Sequence, residues 1–126
     1  MSGFANGVTF GNAVDRIWSP SGELLQVNSS VISAATLGNN TIVAAQAGKA
    51  IYVLSYELVV AGAVTIDFQS GAAGTSLSGV QSLAANAMKV LPHNPTSWFS
   101  TAVGALLNLS LGGAVQISGS IQWVAF

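Results

Sequence analysis

Charge is what this sequence has least of. Three Lys or Arg and four Asp or Glu are spread over 126 residues, 6% of the chain, against about 25% in an ordinary soluble domain. Three cations make no basic stripe for a phosphate backbone, so nucleic acid is not an expected partner. Disorder is excluded as well, because it goes with low hydrophobicity and high net charge, and 51% of these residues are apolar. Cysteine is absent, which removes disulfides, thiolate nucleophiles and thiolate metal sites and leaves the redox compartment undetermined. Histidine occurs once, as His93, between Pro92 and Pro95. No nucleophile or orienting acid stands beside it, so it reads as a loop residue, not a general base. One His and scattered carboxylates also make a poor metal set.

Long apolar runs are scarce too. The strongest membrane candidate, Ala50–Ile66, has 17 residues, carries Glu57 at its centre and is interrupted by Ser55, Gly62 and Thr65. A spanning helix needs about 20 predominantly apolar residues. The run is rich in β-branched and aromatic residues and reads as two strands instead. Met1–Gly7 has neither a basic start nor an apolar stretch, so no secretory signal is expected there. Gly71, Gly74 and Gly79 resemble a phosphate loop only superficially, since no Lys and no helical pattern follow.

What the sequence does contain is strand periodicity. Val115, Ile117, Gly119, Ile121 and Trp123 alternate with Gln116, Ser118, Ser120 and Gln122, and Leu107, Leu109 and Leu111 alternate with Asn108 and Ser110. Turn signals fall at Gly38–Asn40, Gln46–Lys49, Ala61–Ala63, Ser70–Thr75, Asn86, Pro92–Pro95 and Gly112–Gly113. Only Ser82–Val90 could pass for a short helix. The expected architecture is all-β: a single antiparallel β-sandwich or jelly-roll domain of about eight strands. Residues 23–126 would form it, preceded by an extended N-terminal arm, residues 1–22, rich in Gly, Ser and Asn.

Two hairpins are expected, through Gly112–Gly113 and through Ala61–Ala63. In the second, Val60 would pair with Val64, Leu58 with Ile66 and Tyr56 with Phe68, keeping one face apolar. The other face would then set Glu57 opposite Asp67, a candidate carboxylate pair. Its readings are a solvated or subunit-paired polar face, a hard-cation site or acid–base chemistry. Neither a cofactor nor a resident metal is expected, and no residue set points to catalysis, so the chain is not expected to be an enzyme. Trp18, Trp98, Phe99, Trp123 and Phe126 serve core packing, subunit contact or the stacking of sugars.

A folded chain of this size exposes about 6,000 Å². Seven charges solvate that area poorly, which points to a surface covered by partner chains.

From Asn40 onward the chain resembles small structural proteins of tailed bacteriophages. The resemblance runs in fixed order through Thr41–Ala45, Gly48–Leu54, Val60–Val64, Phe68–Gly71, Leu91–Pro95 leading to Trp98–Phe99, then Thr101, Gly104, Leu106–Leu109 and Val115–Gly119. It covers about two-thirds of the chain; residues 1–39 take no part in it. The resemblance implies a compact β-sandwich virion component, a capsid decoration (cement) protein on the outer capsid surface. Such a protein would be a homotrimer and would clamp subunits of the phage major capsid protein, with no membrane or nucleic-acid partner. Phe4, Phe10, Trp18 and Leu24 are the expected capsid or subunit contacts. The alternatives are a trimeric tail-fibre or head-fibre tip, or a carbohydrate-binding module that attaches to a host surface. Two aromatics along one exposed strip would mark the latter.

Overall fold

The computed structural model describes residues 17–126. Phe4 and Phe10 lie outside them. The described residues form twelve strands and no helix: β1 (Ile17–Trp18), β2 (Leu24–Leu25), β3 (Asn28–Ala34), β4 (Gly38–Val43), β5 (Ile51–Val60), β6 (Val64–Ser70), β7 (Thr75–Ser76), β8 (Gln81–Leu83), β9 (Met88–Leu91), β10 (Phe99–Ser100), β11 (Leu107–Leu111) and β12 (Ile117–Ala125). The expectation was about eight strands; eight of the twelve have three or more residues, and β1, β2, β7 and β10 are two-residue pairings. Ser82–Val90 contains strand and turn, not helix. No helix among the described residues is long and apolar enough to cross a membrane.

Two antiparallel sheets make the sandwich. One runs β10–β5–β12–β3, with β9 also on β5; the other runs β4–β11–β6–β7, with β8 also on β6. From β3 to β6 the chain alternates between sheets, β7 and β8 stay with β6, β9 and β10 return to β5, and the last two strands, β11 and β12, lie next to the edge strands β4 and β3. This is jelly-roll connectivity. The core lies between the sheets and is built by the inward set of every long strand: Ile32 and Ala34, Tyr56, Leu58 and Val60, Val64, Ile66 and Phe68, Leu107, Leu109 and Leu111, Ile117 and Ile121.

Both expected hairpins are corners instead. β5 belongs to one sheet and β6 to the other, and the same holds for β11 and β12. Val60 pairs with Ile117 of β12, not with Val64, and Ile66 pairs with Leu111 of β11, not with Leu58. The apolar faces were read correctly, because Tyr56, Leu58, Val60, Val64, Ile66 and Phe68 all enter the core. A corner turns the strands so that these faces meet across the sandwich: the Tyr56 and Phe68 rings lie 5.0 Å apart between sheets. The two corners are neighbours at one end of the molecule, where Ala61 N–H donates to the Gln116 carbonyl and Gly112 N–H to the Thr65 carbonyl, each at 2.9 Å.

The turn expected at Gly38–Asn40 is also displaced. Those residues begin β4, and the chain reverses at Ala35–Leu37. Asn40 explains the shift: its side-chain amide donates to the carbonyls of Thr36 and Gly38, and its Oδ1 accepts from Thr36 N–H. Gly38 enters the strand at φ +87°, a value that glycine adopts readily.

The boundary expected between residues 22 and 23 falls inside the β1–β2 hairpin, where Ile17 pairs with Leu25 and Trp18 with Leu24. Ile17 is buried with Leu54 and Val124, which face outward from the β5–β12 sheet. Leu54 points outward because the β5–β12 register shifts between Gln122 and Trp123, leaving it as an extra residue in β5.

Candidate interaction surface

The two outer faces of the sandwich differ in what they leave unsatisfied. On the β4–β11–β6–β7 sheet, outward side chains bond one another. Asn108, fully buried, donates to Asn39 Oδ1 and to Gln69 Oε1 at 2.9 Å each, and its own Oδ1 accepts from Asn40 N–H at 2.8 Å. Gln69 Nε2 donates to Asp67 Oδ2 at 3.1 Å, and Ser76 Oγ donates to Asp67 Oδ1 at 2.6 Å. Ala73 N–H closes the set on Asn39 Oδ1 at 2.9 Å, bringing the Ser70–Thr75 loop down onto the network. This face is polar and holds itself together.

The opposite face, on β9–β5–β12–β3, sets exposed valines and a methionine among serines and one carboxylate. Strand register lays out two rows across it: Val31, Ser120, Glu57 and Val90, then Ser33, Ser118, Val59 and Met88. Val31 is 74% exposed, Met88 69% and Val90 56%, values high for apolar side chains on a sheet. Glu57 is the one charge among these eight residues; it accepts a long bond from Ser120 Oγ at 3.4 Å. Beside it, Ser55 Oγ donates to Gln122 Oε1 at 2.8 Å. Two shallow depressions flank Glu57. One of about 220 Å³ is bordered by Val59, Met88 and Ser118, and one of about 290 Å³ by Val90, Pro92, His93 and Gln122.

Glu57 and Asp67 therefore face opposite sides of the molecule and do not form a pair. Asp67 is buried within the polar network, and Glu57 stands on the open face. Among the described residues, no group of three or more His, Cys, Asp or Glu side chains converges. Trp18 and Leu24, two of the expected contacts, are more than half exposed, on a hairpin that packs over the far end of the open face. Trp98 is partly exposed beside the second depression, held by its Nε1–H donating to the Pro92 carbonyl at 2.8 Å. Trp123 is buried and donates to Ser30 Oγ at 3.0 Å, and Tyr52 and Phe126 stack on each other with ring centroids 4.1 Å apart.

Sequence reading missed Asn108 and Tyr56. Alternation placed Asn108 correctly on an outward face, but the covering by its neighbours comes from three other segments. Tyr56 was read as core; that its hydroxyl is buried without a hydrogen-bond partner among the described residues depends on packing alone.

No family model and no curated protein matches the chain. Among solved structures, it is similar to a protein of Bacillus endospore appendages, which are described as a novel family of disulfide-linked pili. The two share 18% identity over 94% of this chain and 96% of the other, with a TM-score of 0.50. The likeness is one of fold.

Proposed function

We propose that this chain is a non-enzymatic structural component of a bacteriophage virion, a decoration protein that sits on the outer capsid surface as a homo-oligomer and bridges major capsid subunits. The observation that carries the reading is the open face of the β9–β5–β12–β3 sheet, where Val31, Val59, Met88 and Val90 surround a single carboxylate. The ordered series of motifs shared with phage structural proteins supports it from the sequence side. Attachment works by additive burial. Each of Trp18, Leu24, Met88 and Val90, once covered, contributes about 1.5–3 kcal/mol, and an oligomer multiplies modest contacts by avidity. Phe4 and Phe10 add to this contact in the proposal.

Co-sedimentation with capsids stripped of the protein tests it. The unmodified chain should pellet with capsids, and a Met88→Glu/Val90→Glu double variant should stay in the supernatant while keeping its β-sheet circular dichroism. A folded parent chain that ignores capsids overturns the reading. A second reading, a subunit of a surface filament or fibre tip, takes its support from the jelly roll shared over nearly the whole length with a pilus protein. Disulfide linkage is not open to a chain without cysteine. Filaments formed by the isolated protein in electron micrographs would favour this second reading.

A further inference from the structure

The four sheet edges are not alike. On one side of the sandwich the edge strands are short and interrupted: β7 and β10 have two residues each, β8 three, and β9 carries Lys89 and runs into Pro92. Such features block strand addition. On the other side, β4 is closed at its start by the Asn40 amide on the Thr36 and Gly38 carbonyls. β3 has none of these devices. Its seven residues, Asn28–Ala34, include no charge, no proline and no glycine, and its ladder with β12 runs through all seven without a shift. Among the described residues its ladder partner is β12 alone, which leaves the other edge of its backbone open. Val31, at its middle, is 74% exposed, the most exposed of the large apolar side chains described.

We infer that the free edge of β3 is a self-association edge, which pairs antiparallel with β3 of a second copy about a two-fold axis at Val31. The occupant follows from self-complementarity. With Val31 opposite its own counterpart, Ser29 meets Ser33 on the outer face and Ser30 meets Ile32 on the inner face. Outward side chains meet outward ones, and no charge meets a charge. A head-to-tail contact would need a second long open edge on the same chain, and the remaining edges are short, charged or capped. The contact is therefore isologous and closes at two copies without propagating. It joins the two sheets into one and goes beyond the capsid reading, since it concerns what one copy does to another.

The absence of cysteine allows a direct test. Directly opposite residues of an antiparallel pair lie about 4.5–5.5 Å apart at Cα, within the span a disulfide bridges. The Val31→Cys chain should therefore oxidise to a covalent dimer under mild oxidant, and Ser29→Cys mixed with Ser33→Cys should cross-link as well. Val80→Cys, at a position as exposed as Met88 but away from the edge, should remain monomeric on the same gel. In sedimentation, the parent chain should run as a dimer and Val31→Lys, which keeps the fold at an exposed position, should dimerise at least tenfold more weakly. The inference is overturned if the parent chain is a monomer, if it forms a trimer whose mass Val31→Lys leaves unchanged, or if Val31→Cys cross-links no faster than Val80→Cys. Dimers that ignore capsids would overturn the capsid reading and leave this one standing.

Discussion

Tyr56 places a phenol in the core with no partner for its hydroxyl among the described residues, and burial pushes its pKa up from 10.0 to about 12. The unfolded chain ionises this group near pH 10, while the folded chain holds the proton to about pH 12. Between those values the folded state binds more protons, so stability falls as pH rises through the window and is unaffected by this group below it. Tyr56→Phe should flatten that alkaline decline in urea titrations at successive pH values. At neutral pH it should be neutral or stabilising by up to about 1 kcal/mol, since it removes an unsatisfied polar group. Asn108 is the opposite case, buried with every bond made. Asn108→Ala strands the Asn40 N–H and Gln69 Oε1, and denaturant unfolding should show a loss of about 2–4 kcal/mol. The alternation of Leu107, Asn108 and Leu109 told which way Asn108 points. It did not tell that the polar groups of β4, β6 and the Ser70–Thr75 loop would meet there, because those neighbours come from distant sequence.

At the scale of elements, corners and hairpins share one sequence signature. Two alternating strands joined by three small residues bury the same side chains whether the chain turns within a sheet or between sheets. The difference lies in where the backbone of β5 finds its partners, and β12 and β9 supply them from distant stretches of chain. Gly119 is one device that lets β12 sit there. A Cβ at this position would run into the Glu57 carbonyl and the Leu58 Cα of β5. Gly119→Ala should cost about 2–3 kcal/mol through a displaced β5–β12 ladder, readable as a lowered Tm. The β1–β2 hairpin is held more lightly, by Ile17 against Leu54 and Val124. Ile17→Ala should speed amide exchange within the hairpin selectively, whereas Leu54→Ala should lower global stability by about 2–4 kcal/mol.

For the whole molecule, the proposed assembly, with so few charges available, would rest on area and backbone pairing. Association should therefore change little between low and high salt in sedimentation experiments, unlike contacts steered by charge. Substitutions should also divide by face. Changes at Val59, Met88 and Val90 should alter binding and leave stability nearly untouched. Changes at Asp67, Gln69 and Ser76 should alter stability and leave binding untouched. A strong salt dependence, or binding lost through the polar face, would mean that the interaction surface is elsewhere.

Composition and periodicity by themselves determined the all-β class, the inward sets of β5, β6, β11 and β12 and the shortage of charge. Those properties depend on which residues alternate, and alternation is local. Tertiary structure alone decided that Glu57 and Asp67 stand on opposite faces, that β5 and β6 belong to different sheets, and that β3 is left as the long unguarded edge. Each of these depends on which backbone accepts which hydrogen bond across long stretches of chain. A period of two places side chains on a face but does not say which strand will lie alongside.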